Sequence, residues 1–200
     1  MESLALRLDA VSRRYGSRVA LAPVSLCVGP GAVCLVSGGN GAGKTTLLRI
    51  AAGALRPSKG SRSASGTSLY LAAGDGARSR APVSQAVSFA HDVGAGMAAR
   101  DALAYVGLSD VAGLPACSLS SGLRMRLTLA VALAAQPALL CLDEPTAHLD
   151  DAGRRLVASV VRTLSDGGAA VMVATHDASF LADRADAGLL LDRGRAEVLA

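Results

Sequence analysis

The residues whose types and spacing most clearly imply chemistry are Gly38, Gly39, Asn40, Gly41, Ala42, Gly43, Lys44, Thr45 and Thr46. Gly38, Gly43, Lys44 and Thr45 occupy the fixed places of G-x-x-x-x-G-K-[ST]. Glycines let consecutive backbone N–H groups turn inward around a phosphate with no Cβ in the way. Lys44 brings a mobile positive charge to the terminal phosphates, and the Thr45 hydroxyl can hold Mg²⁺. A second pair of oxygen-bearing residues, Asp143 and Glu144, follows the apolar run Ala138–Leu142. Asp143 would hold Mg²⁺, directly or through water, opposite Thr45. Glu144 would orient or deprotonate a water attacking the γ-phosphate.

These groups need elements to position them. Ala32–Val36 reads as a buried strand, and Thr45–Ala52 as a helix whose positive dipole end faces the phosphate. Leu4–Val11 alternates apolar and polar residues, as a half-buried strand does. Ser12–Ser17 reads as a turn, and Val19–Val28 as a second strand broken by Pro23. Ser61–Thr67 is small and polar, with no core signal, and Ser68–Ala72 is a short strand. Val83–Ala90, Met97–Val106 and Val111–Leu114 are helical pieces linked by glycines, forming a small lobe. Ser118–Gly122 opens a helix over Leu123–Ala135, which Pro137 stops. Asp151–Ser165 is an amphipathic helix and Ala169–Ala174 a buried strand ending at Thr175-His176-Asp177. A helix over Ala178–Ala185 and a hairpin of Ala187–Leu191 with Ala196–Leu199 complete the chain. Apolar strands alternating with helices predict an α/β fold, with a parallel sheet covered on both faces and ligands bound at its carboxyl ends.

Composition narrows the classes. Two hundred residues suit one domain, or one domain with a subdomain, and apolar residues make up 51% of the chain, enough for a substantial core. The net charge of +4 is mild, and the arginines are scattered without interleaved aromatics, so nucleic-acid binding is not expected. Lys44 and Lys59 are the only lysines. Cys27, Cys34, Cys117 and Cys141 lack metal-type spacing and suit free thiols in a reducing cytosol. The N-terminal residues have no basic and apolar leader pattern. The longest apolar run, Leu127–Leu142, is interrupted by Gln136-Pro137 and is too short to span a bilayer.

On these motifs the chain resembles the nucleotide-binding subunit of ATP-binding-cassette (ABC) transporters along nearly its whole length. Leu119-Ser120-Ser121-Gly122-Leu123 is similar to the family's signature segment, usually L-S-G-G-Q. The resemblance implies that Ser120 and Gly122 cap the γ-phosphate of an ATP bound to a second copy in a head-to-tail dimer. Ala147-His148-Leu149-Asp150 resembles the D-loop at that interface, and His176 the switch histidine that contacts the γ-phosphate. Tyr15 lies where the family stacks an aromatic on adenine. The same residues also admit plainer roles: Ser120 as a helix N-cap, His176 as a strand-end histidine, Tyr15 as surface packing. The implied fold is a P-loop NTPase sheet flanked by helices, with an N-terminal antiparallel β part. Residues 1–72 and 136–200 form the core, and about 73–135 the helical lobe. The implied ligands are ATP and Mg²⁺. The implied partners are a second copy and integral membrane permease subunits, which would hold the chain on the cytoplasmic face of the membrane.

The sequence also departs from the family. Ala73-Gly74-Asp75 stands where a Q-loop glutamine is expected; Gln85 is too far along to replace it, so that group is missing or replaced, with Asp75 the candidate. Ser121 and Leu123 replace Gly and Gln in the signature. The stretch between the phosphate-loop helix and Ser68 is short, so the accessory β-hairpins look trimmed. These features resemble the ATPase subunit of the haem exporter of cytochrome c maturation. Two functions follow: a transport ATPase, or an ATP-binding regulatory or assembly module with vestigial hydrolysis.

Overall fold

Where an apolar run is buried on both faces, alternate residues must find partners on opposite sides of a sheet. The computed structural model describes residues 4–72, 79–147, 149–177, 179–181 and 183–199. Its first elements are β1 (Leu6–Tyr15), β2 (Arg18–Val28), β3 (Val33–Gly38), α1 (Lys44–Ala51), β4 (Lys59–Ala64) and β5 (Ser68–Ala72). Helices α2 (Val83–Gly94), α3 (Ala99–Tyr105) and α4 (Ser121–Ala135) follow, then β6 (Leu139–Asp143), α5 (Asp151–Asp166), β7 (Ala170–Ala174), β8 (Ala187–Asp192) and β9 (Arg195–Leu199).

The main sheet has the order β5-β6-β7-β3-β8-β9 and is parallel except for the last pair. Cys34, Val36, Cys141 and Met172 point into one core with Leu47, Leu48 and Ile50 of α1 and with Leu6, Leu8 and Leu21 of the antiparallel strands. Val33, Leu35, Leu140, Leu142, Val171 and Val173 point into the other, with Leu129 and Leu133 of α4 and Val157, Val160 and Val161 of α5. Each such buried side chain contributes about 1.5–3 kcal/mol relative to exposure, so strands this apolar have a strong reason to be central. The helices α2 and α3 pack on α4. A Cβ on Gly94 would collide with the Ala135 carbonyl, so glycine lets the end of α2 close against the end of α4.

The antiparallel part differs from the expectation in three ways. First, β1 runs through to Tyr15 and pairs with Arg18, so the turn is only Gly16-Ser17, with Gly16 at φ 59°. Second, Pro23 does not break β2. It lies on an edge strand, at a register shift between Val24 and Leu21, where a missing N–H is tolerated. Third, the polar stretch after α1 contains a strand: β4 pairs with β1 through Leu6↔Ala64 and Leu8↔Arg62. It is an edge strand held by backbone hydrogen bonds, so no apolar periodicity announces it.

Two short helices were also expected where the structure has single 3₁₀ turns, at Ser109–Val111 in place of Val111–Leu114 and at Ser179–Leu181 within the 178–185 segment. The β8–β9 hairpin turns on Arg193-Gly194, with φ of 46° and 82°, as a two-residue turn requires. Among the described residues no helix is long and apolar enough to cross a membrane.

Candidate functional site

The phosphate loop joins the end of β3 to the start of α1, and two of its glycines are fixed by close approach. A Cβ on Gly38 (φ 143°) would run into the Leu191 carbonyl, and one on Gly43 (φ 110°) would lie 2.6 Å from the Ala20 oxygen. Gly39 has open space at that position. Gly43 caps α1 without a side-chain hydrogen bond, so the first-turn N–H groups are free of a side-chain acceptor and suited to an anion.

Lys44 is buried, at 6% exposure. Its Nζ donates to the carbonyls of Gly38 at 2.6 Å and Gly39 at 3.3 Å, and lies 3.2 Å from Glu144 Oε1. The other Glu144 oxygen, Oε2, is 2.9 Å from His176 Nδ1. Glu144 holds φ at 51°, a left-handed conformation that costs a non-glycine residue energy and is kept only where its surroundings over-determine it. Its N–H donates to the Ala174 carbonyl at 2.8 Å, which ties the strained residue to the end of β7. The loop carrying His176 is braced as well. Thr175 Oγ1 donates to the Asp177 carbonyl at 2.9 Å, and Arg154 meets Asp177 Oδ2 at 3.1 Å. Hydrogen bonds from Ser179 hold the Asp177 carboxyl below the usual carboxylate range.

Asp143, at the end of β6, is also 6% exposed. Tyr70 on β5 donates its hydroxyl hydrogen bond to Asp143 Oδ2 at 2.8 Å, whereas Asp143 Oδ1 is buried with no protein partner. Burial pushes the Tyr70 hydroxyl up to about 12, so it stays a neutral donor. A cleft of ≈ 340 Å³ is lined by Tyr15, Arg18, the run from Gly39 to Thr46, Asp143 and Glu144. An unpartnered carboxylate oxygen of Asp143 and the Thr45 hydroxyl, on residues lining one cleft, are hard-oxygen donors of the kind that suits Mg²⁺. Tyr15 is half exposed at this cleft, and the Arg13 guanidinium sits 4.7 Å from its ring centroid.

The cleft therefore gathers Tyr15, Gly39, Asn40, Gly41, Ala42, Gly43, Lys44, Thr45, Thr46, Asp143 and Glu144, with His176 reaching it through Glu144. Gly38 supplies the carbonyl that holds Lys44. Ser120 and Gly122 are not brought to this cleft. Ser120 caps α4, accepting from the Leu123 N–H at 3.3 Å. Both residues line a different cleft with Leu149, Asp150 and Gly153. A Cβ on Gly122 would meet nothing within 4 Å, so the chain's own packing does not demand glycine there. Ala73, Gly74 and Asp75 of the Q-loop position, and His148 of the D-loop segment, lie outside the described residues. Gln85 is exposed on α2. Arg18 and Tyr70 were not foreseen. The register Tyr70↔Cys141 and Ala72↔Asp143 puts Tyr70 on the face of Asp143, a signal available only once β5 and β6 are known to be neighbours.

Comparison with known proteins agrees with this geometry. The family model described as "ABC transporter" matches residues 21–147. The chain is 38% identical over 172 residues to the cytochrome c biogenesis ATP-binding export protein CcmA of Nitrobacter winogradskyi, covering 80% of this chain and 86% of that protein. It is 35% identical to the zinc import ATP-binding protein ZnuC of Roseobacter denitrificans, covering 92% of this chain and 74% of that one. Among solved structures it superposes on CbiO1 of Clostridium perfringens, part of the ABC transporter complex CbiONQ, with a TM-score of 0.77 at 25% identity. That match covers 100% of this chain and 88% of the other. An ATP-binding subunit of an ABC transporter gives a TM-score of 0.83 at 19% identity, over 98% of this chain and 90% of that one.

Proposed function

This chain belongs to the ABC transporter family as an ATPase subunit, and on that premise we propose that it drives transport through separate membrane-spanning subunits, using the residues gathered at its phosphate loop. The observation that carries this reading is the position of Glu144, its carboxylate spanning Lys44 at 3.2 Å and His176 at 2.9 Å at the mouth of the loop.

In this reading the loop N–H groups and Lys44 bind the β- and γ-phosphates. Thr45 Oγ1 and Asp143 Oδ1 would hold Mg²⁺, which supplies charge neutralisation at those phosphates when bound. Glu144 orients the attacking water and takes its proton, and His176 bridges Glu144 to the γ-phosphate. Tyr15 packs on the adenine. Ser120 and Gly122 line a different cleft from the phosphate loop, which supports their serving the nucleotide of a second copy in a head-to-tail dimer. Retention of Lys44, Asp143, Glu144 and His176 around one cleft supports hydrolysis rather than a purely regulatory ATP-binding role. The chain would sit on the cytoplasmic face of a membrane through its permease partners.

The finer reading is haem export in cytochrome c maturation. It is supported by the similarity to the cytochrome c biogenesis export protein and by the Ala73-Gly74-Asp75 segment in place of a Q-loop glutamine. Steady-state ATP hydrolysis by the purified chain, alone and with the integral membrane protein that co-purifies with it, tests both levels. Turnover stimulated by a cytochrome c maturation subunit is the expected result. Absence of turnover in both preparations overturns the motor reading, and co-purification with an unrelated permease overturns the haem reading.

A further inference from the structure

Tyr70 joins the two elements that carry the proposed magnesium ligands. Its hydroxyl donates to Asp143 Oδ2 at 2.8 Å. The Arg49 guanidinium lies over the Tyr70 ring, 5.3 Å from its centroid. Arg49 belongs to α1, whose first residues are Lys44 and Thr45; Tyr70 belongs to β5; Asp143 ends β6. The relay therefore runs from the helix bearing Thr45, through a neighbouring strand, to the carboxylate that would face it.

The chemistry of the middle member matters. A carboxylate turns readily about its terminal torsion, which is broad and two-fold, so an unheld Asp143 would offer either oxygen or neither. A guanidinium paired directly with Asp143 would hold it but would also cancel the charge a metal needs. A phenol holds one oxygen and leaves the negative charge in place, while the arginine acts at one remove. Asp143 Oδ1 is left buried and unpartnered, although a buried carboxylate oxygen without a partner is costly.

We propose that Tyr70 is a positioning residue for metal binding: its hydroxyl, on a ring packed against Arg49, fixes Oδ2 of Asp143 so that Oδ1 is the atom offered to a cation in the cleft it shares with Thr45. This rests on the reading of Asp143 as a magnesium ligand.

The test compares ATP affinity in EDTA with ATP affinity in saturating Mn²⁺, for the purified full chain and for the Asp143→Asn, Tyr70→Phe and Arg49→Gln variants. The Mn²⁺ electron paramagnetic resonance spectrum of each complex and the melting temperature of each protein are recorded in parallel. The ratio of the two affinities reports metal coupling. Expected is loss of coupling in Asp143→Asn, and in Tyr70→Phe a fall of roughly tenfold in Mn²⁺ affinity with a broadened spectrum. ATP affinity in EDTA should stay within about twofold of the parent in Tyr70→Phe, because Tyr70 does not line the phosphate cleft. Arg49→Gln should give a smaller loss in the same direction.

If Asp143→Asn keeps full coupling, the ligand reading fails and this inference with it. If Asp143→Asn loses coupling while Tyr70→Phe keeps it, only the Tyr70 inference is overturned. Equal loss with and without metal in Tyr70→Phe would mean that the hydroxyl is merely structural, and would likewise overturn it. Should Tyr70→Phe fail to fold, Arg49→Gln decides: reduced coupling supports the relay and unchanged coupling overturns it.

Discussion

Glu144 Oε1 lies 3.2 Å from Lys44 Nζ, so the residue assigned to activate water also neutralises the residue assigned to bind phosphate. The lysine is further occupied by two carbonyls of its own loop. Bound phosphates must replace some of these partners. In the proposed mechanism, releasing Lys44 would free Glu144 to take a water proton, which would link nucleotide arrival to assembly of the base.

From that relationship, Glu144→Gln should bind ATP at least as tightly as the parent, because a neutral amide competes less well for Lys44. Turnover should fall by about 10²–10⁴, the usual contribution of a positioned base. A stable nucleotide-bound dimer should accumulate. Nucleotide titration, steady-state hydrolysis and size exclusion with ATP check the three parts, and normal turnover would remove Glu144 from the base role.

Lys44→Ala should weaken ATP binding by at least about tenfold, since a charge-assisted phosphate contact contributes roughly 1.5–3 kcal/mol. The variant also leaves Glu144 facing two carbonyls without its cation. Affinity measured calorimetrically and equal to that of the parent would overturn the loop assignment.

The loop glycines should differ in stability cost. Gly39→Ala meets open space and should leave the unfolding midpoint nearly unchanged. Gly38→Ala and Gly43→Ala combine a positive φ with a collision against the Leu191 or Ala20 carbonyl. Each should cost about 1–3 kcal/mol or more in urea unfolding. Equal midpoints for all three would contradict the geometry.

Cysteine labelling reports the same cores. Cys27 and Cys117 are exposed, while Cys34 and Cys141 are buried in strands β3 and β6. Burial pushes the Cys34 thiol up to about 11 and Cys141 up to about 12. At pH 8 their thiolate fractions are then roughly a thousandth or less, and access is blocked as well. Native alkylation followed by peptide mass mapping should find Cys27 and Cys117 modified, with the other pair reacting only in urea.

What could be read from the chain follows from which forces shape each part. Lys44, Asp143 and Glu144 were legible because the apolar strands leading to them are buried on both faces and leave an unmistakable run. The strand β4 was not, because Lys59–Ala64 is joined by backbone hydrogen bonds on an edge and carries no buried stripe. Tyr70 was hidden for another reason: its partner Asp143 is distant in sequence, and only the β5–β6 register places them on one face. The expected helix over 178–185 missed the bracing of Asp177 by Thr175 and Ser179, local polar bonds that compete with helix formation and leave the described part as one 3₁₀ turn.

The placement of Ser120 and Gly122 away from their own phosphate loop makes the composite-site reading decidable by mixing. Gly122→Asp should fold, since a Cβ there meets nothing within 4 Å and an acidic residue suits the first turn of α4. Its carboxylate would repel a γ-phosphate presented by a second copy. Alone, Gly122→Asp and Lys44→Ala should each be inactive. In a mixed dimer, the intact loop of the Gly122→Asp chain meets the intact signature segment of the Lys44→Ala chain, and one working site is rebuilt. Random pairing in a symmetric dimer then restores about a quarter of the parent rate if the two sites work independently. A site completed within one chain would give no recovery at any mixing ratio, because every chain would keep one broken part. Hydrolysis measured across a series of mixing ratios separates the two: a maximum at equal proportions supports completion by a partner, and a flat, inactive series overturns it.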